Sequence, residues 1–336
     1  MNLQSMRNKY ILVGILFAIA FFSFGCGVKT HEIVDAAGNS LEIYRPLAGF
    51  SGIMDILVIP MAGLMWVLGK TVAFGNYTVV ILLATIIVRS LAWPIYGKTN
   101  DMSLKMNLIS GEQRKIEEKY KDRMDRESQQ RKSMELMQLY KKYNISMAGC
   151  FMPFIQMPIF LAFFETLRRI PFTISSFFEQ FPEGIEIGGK VITKENLLFD
   201  FDFLQTKIFG IDLFKGVEDG GWQKYGIWVL AALVAGTQLL TQFLSQRRAK
   251  KQKEEMYSDV PDYRKPQQTE QQKSMNLTMN IMMYSMPLMM VIFIIQSPAA
   301  LGWYWLVGNI YSALQSAISA KTSAKKLEKL RQKYGK

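Results

Sequence analysis

Residues 77–98 read YTVVILLATIIVRSLAWPIYGK. A bilayer is crossed by about 20 apolar residues in a helix, and this run has that length, yet it carries Arg89. Arg89 stands well inside the run, and the next positive charge toward its far end is Lys98. Nine residues of helix at about 1.5 Å each span about 13 Å. That is more than the roughly 6–7 Å an arginine reaches when it snorkels. A guanidinium facing lipid at such depth costs several kcal/mol, so Arg89 is expected to face a wet or polar interior. The alternative is snorkelling into a locally thinned leaflet.

The neighbours of Arg89 fit an interior position. Thr78, Thr85, Arg89, Trp93 and Tyr96 recur at intervals of three, four and seven, which places them on one helical stripe. Four further segments, 150–169, 225–245, 276–296 and 302–320, have the length and composition of spanning helices. Two of them carry comparable stripes. In 225–245 it is Thr237, Gln238, Thr241, Gln242 and Ser245; in 302–320 it is Trp305, Asn309, Ser312, Ser316 and Ser319. Gln156 marks the inner half of 150–169. Taken alone, each stripe is better read as interhelical hydrogen bonding in a packed bundle. Glu165 is the only carboxylate within the five spans, and its place beside Arg168 and Arg169 suggests a local surface pair. A cation among amides, hydroxyls and aromatics is a poor proton relay, since relays use Asp, Glu or His chains. It suits a transient anion: an acidic polypeptide tail, a lipid phosphate or a solute.

Composition places the whole chain in the same class. Of 336 residues, 49% are hydrophobic and 20% charged, and the mean hydropathy is +0.08. Soluble domains sit nearer 25% charged, so a membrane protein is indicated. Two cysteines, Cys26 and Cys150, and the single His31 exclude a disulfide scaffold and the usual zinc sites. There is no GxxxxGK[ST], GxGxxG, HExxH or GxSxG motif. No catalytic residue, no metal and no cofactor is therefore expected, nor ATP hydrolysis. No internal repeat of the transporter kind is evident.

The first 25 residues are laid out as a secretory signal, with Arg7 and Lys9 before the apolar run 10–24. Cys26 follows in lipobox-like fashion and becomes the expected lipidation site and mature N-terminus. An uncleaved anchor with an inert cysteine is the alternative. Orientation then follows from charge. If 50–68 (FSGIMDILVIPMAGLMWVL) does not span, the inner loops 97–149 and 246–275 and the tail 321–336 hold 12, 8 and 7 Lys+Arg. The outer loops 27–76, 170–224 and 297–301 hold 3, 5 and 0. Letting 50–68 span would invert that bias against the positive-inside rule. Segment 50–68 is thus expected in the outer interface, broken at Pro60. The formal charge of +12 is then loops beside anionic lipid, and DNA is not an expected partner.

The inner loop 97–149 is rich in Lys, Glu and Gln, with apolar residues at Ile116, Tyr120, Met134, Met137 and Tyr140. It reads as a helical hairpin turning near 121–126. Met275, Met279, Met282, Met283, Met286, Met289 and Met290 crowd one span, either as a forgiving surface for varied partners or as ordinary lipid-facing bulk.

The hairpin ends in NISMAGCFMPFIQMPIFLAFF (144–164), which resembles the signature of the YidC family, a Gly-Cys step leading into Pro and IQMPIF. ATIIVRSLAWPI (84–95), with its arginine, AALGWYWLVGNIYSALQ (299–315) and the weaker GTQLLTQ (236–242) add to the resemblance, which runs across 55–320. It points to the Gram-positive type of this insertase family. The implied fold is an all-α membrane protein: five transmembrane helices around a hydrophilic groove, with an N-terminal interfacial helix and a cytoplasmic helical hairpin. The implied order is signal peptide 1–25, outer N-terminus 26–76, spans 77–96, 150–169, 225–245, 276–296 and 302–320, and basic tail 321–336. The implied function is insertion and folding of membrane proteins in the bacterial plasma membrane. The groove would be formed by Arg89, Thr85, Gln156, Gln238, Gln242, Trp305 and Asn309. The implied partners are nascent clients and the lipid bilayer, with the ribosome and the Sec translocon. Two rivals remain open from the residues: a small-anion transporter or channel using Arg89, and a lipoprotein receptor acting through 170–224.

Overall fold

The computed structural model describes residues 30–34, 40–50, 52, 54–120, 123, 125–145, 152–256 and 270–334. Cys26, Cys150 and the signal-like segment lie outside these, as does the side chain of Gln156. Among the described residues the structure is mostly helical, at 71%. Its helices are α1 (Asp55–Thr71), α2 (Tyr77–Lys119), α3 (Arg126–Lys142), α4 (Met152–Arg169), α5 (Gly221–Met256), α6 (Glu270–Ile295) and α7 (Ala299–Tyr334). Described residues up to Ala62 together with Arg168–Asp202 form one compact unit, and Gly63–Leu167 with Phe203–Lys336 form a second.

The first unit corrects the all-α expectation. Strand β1 (Thr30–Val34) pairs antiparallel with β2 (Ser40–Tyr44), and β3 (Ile185–Ile187) with β4 (Lys190–Ile192). The second of these hairpins has a local cause in IEIGGKVI. Gly188 and Gly189 take φ of +61° and +75°, the left-handed pair that a tight two-residue turn between twisted strands demands. The alternating side chains Ile33, Ile43, Ile185, Ile187 and Ile192 then share a core with Phe177, Phe178 and Phe181, as period-2 burial on one strand face requires. An ion pair that the sequence reading does not anticipate also sits here. Arg169 Nη1 donates to Asp55 Oδ1 at 2.5 Å, with only 12% and 2% of the side chains exposed. Glu165 of the second unit, expected at the surface, is buried at 4% exposure.

Helix α1 runs unbroken through Pro60, which overturns the expected break. Proline there removes only the single i→i−4 bond to Ile56 O, and the helix continues on both sides of it.

In the second unit, α2 starts at an Asn76 cap whose side chain accepts from Val79 N at 3.2 Å. It continues without interruption to Lys119, so the run read as a span and the first arm of the hairpin are one helix of 43 residues. The second arm, α3, begins at the Asp125 cap, which accepts from Ser128 N at 2.8 Å. The arms are joined by a small core of Ile109, Leu139, Tyr143 and Ile145, with Ile116 and Tyr140 against it, whereas Met134 and Met137 stay exposed. Helix α7 packs against α2 and α5, and α5 against α6. A third hairpin, β5 (Lys207–Ile208) with β6 (Ile211–Asp212), precedes α5. Among the described residues, two helical stretches are long and apolar enough to cross a membrane, Tyr77–Pro94 and Gly221–Lys251.

Candidate functional site: a guanidinium on a serine ledge

The side chain of Arg89 points from α2 at α7. Its Nη1 donates to Ser312 Oγ at 2.7 Å, and Ser312 Oγ in turn donates to Gly308 O at 2.8 Å. The serine hydroxyl can do both because it has one proton and two lone pairs. The guanidinium crowds Gly308 through its Nη2 end: a Cβ there would be 2.6 Å from Nη2 and 3.2 Å from Cζ. Arg89 Nε is buried and has no hydrogen-bond partner. Among the described residues Arg89 forms no ion pair, and the group as a whole is half-buried. A neighbouring contact pins the same helix pair, Ser90 Oγ and Tyr311 OH at 2.9 Å, with Trp93 edge-on to Tyr311. Toward the start of α2, Trp303 Nε1 donates to Thr78 O at 3.1 Å.

The other residues named from sequence are dispersed around this point. Thr85 is fully buried and its hydroxyl donates to Ile81 O on its own helix. Asn309 faces α5, donating through Nδ2 to Val234 O and Thr237 Oγ1, each at 3.1 Å. Trp305 stacks on Phe160 at 5.8 Å and meets Phe293 edge-on. Gln238 is half-buried on α5. Among the described residues, buried Gln242 Oε1, Gln246 Nε2 and Gln315 Nε2 have no hydrogen-bond partner. Of the set, then, Arg89 is brought onto the α7 serine row, while Asn309 links that row to the other flank.

Two residues escaped the sequence reading. Gly308 is what lets the guanidinium lie against the α7 backbone, and a glycine in an apolar helix gives no signal of that. Arg248, toward the C-terminal end of α5, donates through Nη1 to Ser316 Oγ at 2.8 Å. Among loop charges it reads as one more inward-facing positive.

Chemically the arrangement holds a fixed positive charge with spare donors inside a helical bundle. An anion that reaches it gains charge-assisted hydrogen bonds, each about 1.5–3 kcal/mol. Nothing in it resembles a nucleophile with its base.

An apolar helical bundle holding such a charge defines a helical membrane protein. The chain belongs to the 60Kd inner membrane protein family, the YidC/Oxa1 family, whose profile matches residues 68–327. It is similar to the protein named membrane protein insertase YidC 2 of Bacillus anthracis, 27% identical over 312 residues covering 92% of each chain. It is also similar to membrane protein insertase MisCA of Bacillus subtilis, 27% identical over 80% of each. Membrane protein insertase YidC of Deinococcus radiodurans is 34% identical over a shorter stretch, 39% of this chain and 29% of that one.

Proposed function

We propose that this chain is a membrane protein insertase and chaperone. It inserts and folds integral membrane proteins, and it holds the hydrophilic tail of a client at Arg89 while the client's apolar segment partitions into lipid. The observation that carries this reading is the Arg89 guanidinium: half-buried, without an ion pair among the described residues, and hydrogen-bonded to only one serine. Partitioning supplies the free energy, together with the membrane potential at about 2.3 kcal/mol per charge per 100 mV, so no nucleotide is needed. In this arrangement five helices span the membrane, the α2–α3 hairpin stands in the cytoplasm to receive clients, and α1 lies in the outer interface. The basic tail 321–336 approaches ribosomal RNA, the Sec translocon joins for some clients, and lipidated Cys26 anchors the N-terminus outside.

Reconstitution tests the central claim. The pure protein in liposomes is expected to insert a short client with an acidic tail without ATP. Flux of small anions without client insertion would instead make it a transporter. Mass spectrometry of membrane-extracted protein should show residues 1–25 removed and a diacylglyceryl group on Cys26; an intact Met1 would refute that part.

A further inference from the structure

Helix α7 presents two serines one turn apart, Ser312 and Ser316, and each receives an arginine from a different neighbour. Arg89 comes from α2 and Arg248 from α5, at 2.7 and 2.8 Å. Residues four apart on a helix share a face, so both hydroxyls look into the trough that α2 and α5 make by packing on α7. Thr78 meets Trp303 and Arg89 meets Ser312, while Val234 meets Asn309 and Arg248 meets Ser316. Both flanking helices therefore run parallel to α7. Arg248 consequently sits farther along the shared direction than Arg89, by about 6 Å measured on the serine row.

Arg248 resembles Arg89 in its environment as well. It is half-buried, and among the described residues it has no carboxylate partner. The nearby charged pair on its helix, Lys250 with Glu254, lies farther along and is exposed.

We propose that Arg248 is a second anion-holding position in the same trough, inward of Arg89. With it, the protein distinguishes client tails carrying two acidic groups from those carrying one. The inference rests on the insertase reading given above. An extended peptide advances about 3.3 Å per residue. Two carboxylates two residues apart thus match the axial offset of the serines, one engaging each guanidinium. A tail entering from the inner side meets Arg248 first and Arg89 second.

The test uses full-length protein in liposomes with three clients that differ only in the tail: neutral, one Asp, and Asp-X-Asp. Arg248→Gln keeps a donor for Ser316 and removes the charge. It is expected to lower insertion of the Asp-X-Asp client about fivefold, the scale of one half-exposed charge pair, and to leave the other two unchanged. Arg248→Lys should restore most of the loss. Equal insertion of all three clients by Arg248→Gln, or a uniform loss that follows protein abundance, would overturn the proposal. Arg89→Ala is run alongside. If it lowers both acidic clients while Arg248→Gln does nothing, only the second position falls. If Arg89→Ala is also without effect, the insertase reading of the trough falls with it. A charge swap gives an independent readout: Arg248→Glu should favour an Asp-X-Lys tail over Asp-X-Asp, an order that a purely structural arginine would not produce.

Discussion

Arg89 was legible because a charge inside an apolar run has few tolerable places to go, and the length of an arginine side chain excludes most of them. Its setting was not legible. A glycine in α7 shows nothing in sequence of the guanidinium lying on it, and the space it leaves makes a sharp prediction. Gly308→Ala places a methyl 2.6 Å from Arg89 Nη2, so the guanidinium must swing off the Ser312 ledge. Alanine also favours helix over glycine by about 1 kcal/mol. Thermal unfolding in detergent should show stability unchanged or raised, while insertion of acidic-tailed clients falls. Stability and insertion falling together would contradict this. For Arg89 itself, charge matters more than the planar fork. Arg89→Lys should retain most insertion, and Arg89→Ala should lose acidic-tailed clients, spare neutral ones and still accumulate, as quantified by blotting alongside insertion. Arg248 illustrates the limit of composition, which cannot separate a charge facing a trough from one facing anionic lipid.

Among elements, the helices follow from apolar runs, caps and periodicity, whereas the β-hairpins went unread. Their strands are two to five residues long and sit between apolar segments that dominate any hydropathy reading. The signal was present nonetheless in IEIGGKVI, alternating residues about a two-glycine turn. Pro60 misled for the opposite reason, since a helix tolerates proline near its start. The α2–α3 hairpin carries a pH-dependent clasp. Glu135 accepts from Lys119 Nζ at 2.6 Å and from Tyr120 OH at 2.8 Å. These bonds hold its carboxyl below the usual range, and the same bond raises Lys119. A carboxyl lowered on folding stabilises above its unfolded pKa, and that contribution disappears as pH falls through the folded value. The raised lysine contributes below its ordinary pKa and stops contributing at strongly alkaline pH. The clasp is therefore intact through neutral pH and opens in acid. Spin labels on the two arms should separate as pH drops below the carboxylate range, and Glu135→Gln should reduce that response, the remainder belonging to Glu112, which accepts from Tyr143 OH across the same arms at 2.6 Å. An acid response unchanged in that variant would remove the clasp as its cause.

For the whole molecule, charge asymmetry between loops predicts which ends face the cytoplasm, and one label tests it. A cysteine at position 128, Ser128→Cys, should react with a membrane-impermeant reagent only in inside-out vesicles; reaction from outside intact cells would reverse the topology. The unbroken course of α2 has a mechanical consequence. A helix of 43 residues is a rod of about 65 Å, of which a bilayer would take up about 30 Å. The remainder is a crank whose far end is the hairpin and whose axle bears the guanidinium. If α2 transmits torque through Pro94, a twist applied at the hairpin arm is expected to turn Arg89 toward or away from its serine ledge. One alanine inserted after Lys98 resets that phase by about 100°, whereas a four-residue insertion comes within about 40° of a full turn. Insertion activity should accordingly collapse with one added residue and largely return with four. Equal loss from both would show the arm to be a tether and not a shaft.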